Sequence, residues 1–390
     1  MKKLFVVLSV LLVISTILAG CKKAAPSTTT KPATTAATTT TAATTSAKPT
    51  TTTAATTTTA APKPTTTTLK PLPSVINMPY RPGAVTGQVS VGLASTIAQK
   101  IGTKVALQEV PADLAMFTAM RAKQGDFALA GSSTIYNAII GAGDFKDLGP
   151  QSLRMSLKGP PQLTVVYTSG KTGIKTYADM KGKRFAFIPA SAIVNETTGL
   201  YLEAMGLTWD DVKKVNVDSA IASIEALKAG VLDVPVVSTY PGDQFVELQA
   251  TIGVVIPPFN PTPEKLKVFL EKRPQFQMKN VAKGSIIGAE QDMVLPTSAN
   301  YVISYDFIDD DLAYQFAKAT YEVVETTPVA YDKGWRKSFA VEIPIVAPYH
   351  PGAVRFYKEI GVWTADHEKL QAQLLADEKT RIDAWKAKTK

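Results

Sequence analysis

The residues of this chain best suited to chemistry are hydroxyl and guanidinium groups placed where strand-like runs give way to helical ones. Ser132, Ser133 and Thr134 follow the apolar run Phe127-Ala128-Leu129-Ala130 and open a helical pattern. Ser191 and Asn195 stand in the same relation to the run over 184–188. A helix N-terminus presents unpaired N–H groups and a partial positive charge, so both places suit an anion. The same residue types are ordinary helix caps, and that reading stands beside the first. Arg81, in Pro79-Tyr80-Arg81-Pro82-Gly83, could grip a carboxylate through two parallel hydrogen bonds or sit solvated in its loop. Arg154 is equally well explained by a buried acidic neighbour. Tyr80, Tyr136 and Tyr240 could wall a cleft with an apolar ring and a polar tip, or pack in a core. Thr239 precedes Tyr240 in Ser238-Thr239-Tyr240-Pro241-Gly242, expected as a loop at the carboxyl end of a strand over 234–237.

Catalysis has little to work with. The chain has two histidines, His350 and His367, too few for a His-rich metal site. His350 stands just before Pro351 and reads as a helix cap, while His367 is expected on an exposed helix face. No phosphate-binding or dinucleotide glycine pattern follows a strand. No metal, cofactor or enzymatic activity is therefore expected. The net charge is +9, but the lysines and arginines are scattered and form no stripe with interleaved aromatics, so no nucleic-acid partner is expected.

The elements that would position these groups alternate strand and helix. Strand patterns over 74–78, 104–110, 126–130, 163–167, 184–188, 234–237 and 301–304 are separated by helical ones. Such alternation implies βαβ units and a mainly parallel sheet, with the ligand crevice beyond the carboxyl ends of the strands. Helices are also expected after Thr176, starting at Thr208-Trp209-Asp210-Asp211, from Asp309 to about Val324, from Pro351, and from Thr364 to the end. Residues 256–298, punctuated by prolines, give no clear pattern.

The N-terminal region is of another kind. Lys2 and Lys3 precede an apolar run over 4–18 that is shorter than a membrane-spanning helix needs. It ends in Leu18-Ala19-Gly20-Cys21, which resembles a bacterial lipoprotein signal, with residues 1–20 removed and Cys21 acylated. Cys21 is the single cysteine, so no intramolecular disulfide can form. Residues 21–72, mostly Thr and Ala, hold too little apolar surface to offset their ordering entropy and are expected to form a disordered tether. A protein lipid-anchored on the outer face of a cell membrane, or in a periplasm, is implied.

The folded part resembles the receptors of the TAXI branch of TRAP (tripartite ATP-independent periplasmic) transporters. Four words in the family's order carry this: Gly149-Pro150-Gln151-Ser152-Leu153-Arg154; Gly173-Ile174-Lys175-Thr176 with Met180-Lys181-Gly182-Lys183-Arg184; Gly206-Leu207-Thr208-Trp209-Asp210-Asp211-Val212; and Pro348-Tyr349-His350-Pro351-Gly352-Ala353. The resemblance implies an α/β, type II periplasmic-binding-protein fold, two lobes hinged around a cleft. On that fold the chain divides into lobe 1 over 73–166, lobe 2 over 167–298, and a return to lobe 1 with C-terminal helices over 299–390. It implies a monomeric receptor delivering a small organic acid or amino-acid-like anion to a TRAP-type permease. The receptor of an ABC importer, a surface enzyme on a stalk, and a lipid-anchored sensor or adhesin remain the alternatives.

Overall fold

The structure is a computed structural model that describes residues 68–82, 85–240, 243–324, 326 and 346–389. The signal sequence, Cys21 and nearly all of the expected tether lie outside the described residues.

Two separate hydrophobic cores organise the chain. One gathers residues between Ile76 and Leu157 with others between Ala299 and Tyr357. The other gathers residues between Leu163 and Leu295. The chain thus leaves the first lobe near 158–162 and returns near 298–300. Both passages belong to one antiparallel ribbon. Leu153–Lys158 pairs with Asn300–Tyr305 in the first lobe, and Gln162–Val165 pairs with Met293–Ser298 in the second. Between them the Gly159 amide donates to the Asn300 carbonyl at 2.8 Å, and the Asn300 side-chain Nδ2 donates to Gln162 Oε1 at 3.2 Å. Pro160 and Pro161 lack N–H groups, so the ladder narrows where the ribbon crosses between lobes.

This ribbon corrects the expectation of a mainly parallel sheet. Asn300–Tyr305 lies antiparallel between Ala128–Gly131 and Leu153–Lys158. In the second lobe, Gln277–Val281, Met293–Ser298, Gln162–Val165 and Ser238–Tyr240 form a four-stranded antiparallel sheet. Parallel ladders remain at Val75–Tyr80 with Lys104–Glu109, joined by helix Val85–Ile101, and at Arg184–Phe187 with Lys213–Asn216. A chain that leaves a lobe on one strand and returns on its neighbour must run antiparallel there. Alternation of strand and helix reports local order but not that return.

Other readings are corrected locally. After Thr176 there is one 3₁₀ turn, Ala178–Met180, because the Asp179 carboxylate closes back on the Lys175 and Thr176 amides at 3.0 and 2.8 Å. Residues 208–211 make the same closed turn through Asp211 and Thr208 rather than a helix. Ser238–Tyr240 is an edge strand against Leu163–Val165, so Thr239 and Tyr240 do not lie in a loop. His367 is buried and completes a capping box with Thr364 at the start of helix Ala365–Lys388, rather than facing solvent.

The four sequence words singled out above hold the fold together. His350 caps Pro351–Glu359, its Nδ1 accepting from the Gly352 amide at 3.2 Å, as its place before Pro351 suggested. Gly352 lets that helix meet helix Asp310–Val323, since a Cβ there would lie 2.1 Å from the Asp310 carbonyl oxygen. Arg154 grips Glu378 with two buried hydrogen bonds of 2.7 and 3.1 Å, tying the C-terminal helix to the first lobe. Gly149 makes room for Trp385 of the same helix. Trp209 packs edge-on against Phe185 and Phe187 in the second lobe. Lys70, in the expected tether, is also held: its amide donates to Asp311 and its ammonium pairs with Asp309 at the start of helix Asp310–Val323.

Candidate functional site

The lobes face each other across helix Ser132–Ile140 of the first lobe and two pieces of the second. One piece is helix Ala192–Ala204; the other is the turn after helix Pro263–Lys272. That helix has Thr262 as its cap and Pro263 in its first turn. It ends where Phe276 stacks back on Phe269, with ring centroids 5.5 Å apart. The Phe276 amide donates to the Arg273 carbonyl at 3.0 Å, closing a tight turn that carries Arg273 and Gln275.

These pieces are linked side chain to side chain. Gln275 Nε2 donates to Ser133 Oγ at 3.1 Å. Four residues further along the same helix face, Asn137 Nδ2 donates to Glu196 Oε2 at 3.3 Å. Glu196 Oε1 in turn lies 2.8 Å from Arg273 Nη2, an ion-pair distance but out of line for a hydrogen bond. Helical spacing places Ser133 and Asn137 on one face, so one helix meets both partners.

The junction holds bonding capacity that the protein leaves unused. Ser132, Asn137, Arg273 and Gln275 are only 1, 2, 3 and 4% exposed. Yet Ser132 Oγ, Asn137 Oδ1, Arg273 Nε and Nη2, and Gln275 Oε1 have no hydrogen-bond partner. A buried polar group left unpaired costs about 1–3 kcal/mol, so each calls for an explanation; Asn137, Arg273 and Gln275 meet at this seam, and Ser132 opens the same junction helix. Together they offer a guanidinium edge, a hydroxyl and two amide oxygens, a set able to bind an anionic group and a neighbouring donor.

Charge gathers there as well. Arg81 Nε lies 3.3 Å from Asp113 Oδ1, and Thr134 donates to the other Asp113 oxygen at 3.0 Å. Burial raises the Asp144 carboxyl above its ordinary value, and the nearby Asp113 and Glu196 carboxylates add to that.

The expected site residues divide accordingly. Ser132, Ser133 and Thr134 stand together at the start of the junction helix, although the Ser132 amide is already taken by the Ala299 carbonyl at 2.8 Å. Arg81 joins Thr134 through Asp113. Tyr80 ends the first strand half-buried, and Tyr136 packs against the first core. Ser191 precedes helix Ala192–Ala204 without capping it through its side chain. Both polar atoms of the Asn195 side chain are committed to Ile188, whose amide and carbonyl they bond at 3.0 and 2.7 Å. Thr239 is half-buried opposite Thr164. Tyr240 pairs its backbone with Leu163, and its side chain lies outside the described residues. Sequence reasoning passed over Asn137, Glu196, Arg273 and Gln275. A four-residue step from Ser133 could have found Asn137. Arg273 and Gln275 sit in the proline-punctuated stretch that gave no pattern.

A hollow of ≈ 300 Å³ also opens between helices Ala192–Ala204 and Pro263–Lys272, over Leu200, Val268 and Phe269. Its rim charges Lys272 and Glu203 pair with each other at 2.8 Å, whereas the junction offers unpartnered buried groups, so the junction is the stronger site. Among the described residues no group of three or more His, Cys, Asp or Glu could hold a metal ion. No helix among them is long and apolar enough to cross a membrane.

Residues 84–361 match the NMT1-like family. The chain belongs to that family. Similar solved structures include the periplasmic aliphatic sulphonate binding protein SsuA from Escherichia coli, at 16% identity over 65% of this chain and 71% of that one, with a TM-score of 0.40. The alkanesulfonate-binding SsuA from Xanthomonas axonopodis pv. citri, bound to MOPS, matches at 16% identity over 82% and 94%, TM-score 0.41. PhnD1 from Prochlorococcus marinus, in complex with methylphosphonate, matches at 12% over 64% and 84%, TM-score 0.43. What those proteins bind is theirs and is not carried over. In this NMT1-like chain two α/β lobes, each with its own core, both contribute to the junction.

Proposed function

We propose that this chain is an extracytoplasmic solute receptor that closes two lobes on a small organic acid or amino-acid-like anion. The observation carrying this reading is the set of buried, unpartnered polar atoms of Ser132 and Asn137 on one lobe and Arg273 and Gln275 on the other. A reaction centre would need an activated nucleophile or a general base poised beside it, and binding needs only convergent donors and acceptors. The four sequence words resembling TAXI receptors support a TRAP-type permease as the recipient. The lipoprotein-like sequence before Cys21 supports anchoring through acyl chains on that residue. Substituting Cys21 by Ser should then release the protein from membranes.

The direct test is a thermal-shift screen of the full chain, stripped of co-purified small molecules, against organic acids and amino acids. A ligand at a hundred times its Kd adds about 2.7 kcal/mol of stability. The expected result is a shift with at least one acid that is absent in Arg273→Ala. A panel without any shift would remove the basis for the receptor reading.

A further inference from the structure

Resting on the receptor reading, we infer that Glu196 is an internal latch: its carboxylate occupies the anion subsite at Arg273, and the carboxylate of a captured solute must displace it. The geometry separates the two edges of the Arg273 guanidinium. Nη1, on one edge, donates to the Lys272 carbonyl at 3.0 Å. The other edge, formed by Nε and Nη2, has no hydrogen bond at either atom. That edge is the fork that meets a carboxylate with two parallel bonds. Glu196 touches it at a single corner, 2.8 Å from Nη2 and out of line.

The two partners differ in freedom to move. The Arg273 side chain is 4% exposed and that of Glu196 45% exposed. Arg273 is held by its backbone bonds to Phe269 and Phe276 and by Nη1 on the Lys272 carbonyl, while Glu196 has room to swing into solvent. Glu196 also spans the lobes, because its second oxygen accepts from Asn137 of the first lobe. It therefore does what a solute carboxylate would do, joining Asn137 to Arg273, but with poorer alignment. A solute that bonds both Nε and Nη2 outcompetes it, and one without a carboxylate does not. Glu196 thus sets the affinity threshold and favours acids that can fill the whole fork.

The latch lowers apparent affinity in proportion to its occupancy. If it is closed in about nine molecules of ten, its removal tightens binding about tenfold. The test compares the full-length protein with Glu196→Gln and with Glu203→Gln. The second variant makes the same charge change on the same helix at a residue paired with Lys272. Calorimetric titration with succinate and with L-glutamate should show about tenfold tighter binding of at least one acid to Glu196→Gln, with Glu203→Gln unchanged. Equal or weaker binding by Glu196→Gln would overturn the latch, as would equal tightening in both variants. Small-angle scattering of each protein without added acid gives a second readout. A larger radius of gyration in Glu196→Gln is expected, since losing the carboxylate charge weakens the link from Asn137 through residue 196 to Arg273. If an acid binds the parent and Glu196→Gln alike, the latch falls and the receptor reading stands. If neither acid binds any variant, the carboxylate-receptor reading falls and takes the latch with it, and a scattering change would then mark Glu196 as an interlobe link only.

Discussion

Asn195 separates two kinds of role, because its place near a helix start suits a ligand contact while its bonds in the structure are structural. Its Oδ1 accepts from the Ile188 amide and its Nδ2 donates to the Ile188 carbonyl, so one side chain satisfies both backbone groups of a buried residue. Asn195→Ala leaves both unpaired in a place with little access to water. At about 1–3 kcal/mol for each buried group, the loss should total about 2–6 kcal/mol. Asn195→Asp keeps an acceptor for the amide but sets a second oxygen against the Ile188 carbonyl. Its loss should match or exceed that of Ala at neutral pH and ease in acid, where a protonated carboxyl regains a donor. Urea unfolding followed by tryptophan fluorescence suits the question, since Trp209 packs against Phe185 and Phe187 of the adjoining strand. A loss below about 1 kcal/mol in Asn195→Ala, together with lost solute binding, would refute the structural assignment and restore the ligand role.

Three further outcomes follow from the same geometry. Glu378→Ala strands the Arg154 guanidinium in a buried setting and should cost about 3–5 kcal/mol by chemical denaturation, with Arg154→Met/Glu378→Leu recovering much of it. Gly352→Ala drives a methyl group against the Asp310 carbonyl and should destabilise by about 1–3 kcal/mol, whereas Gly361→Ala, at a positive-φ position with open space beside it, reports backbone strain alone. Asp144 has a pH signature: its folded carboxyl titrates above its ordinary value of 3.8, so between the two values the folded state holds more protons. Stability therefore falls as pH rises through that window, and the cost is fully present at neutral pH. Asp144→Asn should melt higher than the parent at pH 7, with the gap closing on acidification, and a lower melting temperature at pH 7 would show that the carboxylate is stabilising.

Much of the fold could be read in the sequence because its signals are local. Pro351 behind His350, the acidic start at Asp309, and the Thr208–Asp211 and Thr176–Asp179 pairs each mark a cap or a turn. Local signals mislead where a closed turn is chemically identical to a helix start, as at Thr176 and Thr208. Strand direction was hidden for a different reason. The return of Asn300–Tyr305 between Ala128–Gly131 and Leu153–Lys158 is a pairing across more than a hundred residues, and no local pattern encodes it.

The candidate site shows the same division. Ser132, Ser133 and Thr134 were legible because hydroxyls after a buried strand are conspicuous. Their partners were not. Gln275 and Arg273 reach the junction because Phe276 folds back on Phe269 and turns the segment toward the first lobe. Glu196, one residue from Asn195, faces the junction while Asn195 turns back to brace Ile188. The four sequence words lie outside this seam. They make helix caps, close helix contacts and the Arg154–Glu378 grip, so they announce the architecture and leave the cargo unnamed.

On the proposed reading, a small anion sits between the lobes and is held by Arg273. Native mass spectrometry of the full chain, purified without stripping, tests it most directly in parallel with Arg273→Ala. The expected result is a small-molecule adduct on the parent protein, released as an acid on denaturation and missing from the variant. An adduct retained in full by Arg273→Ala, or one that proves to be a cation, would contradict the account.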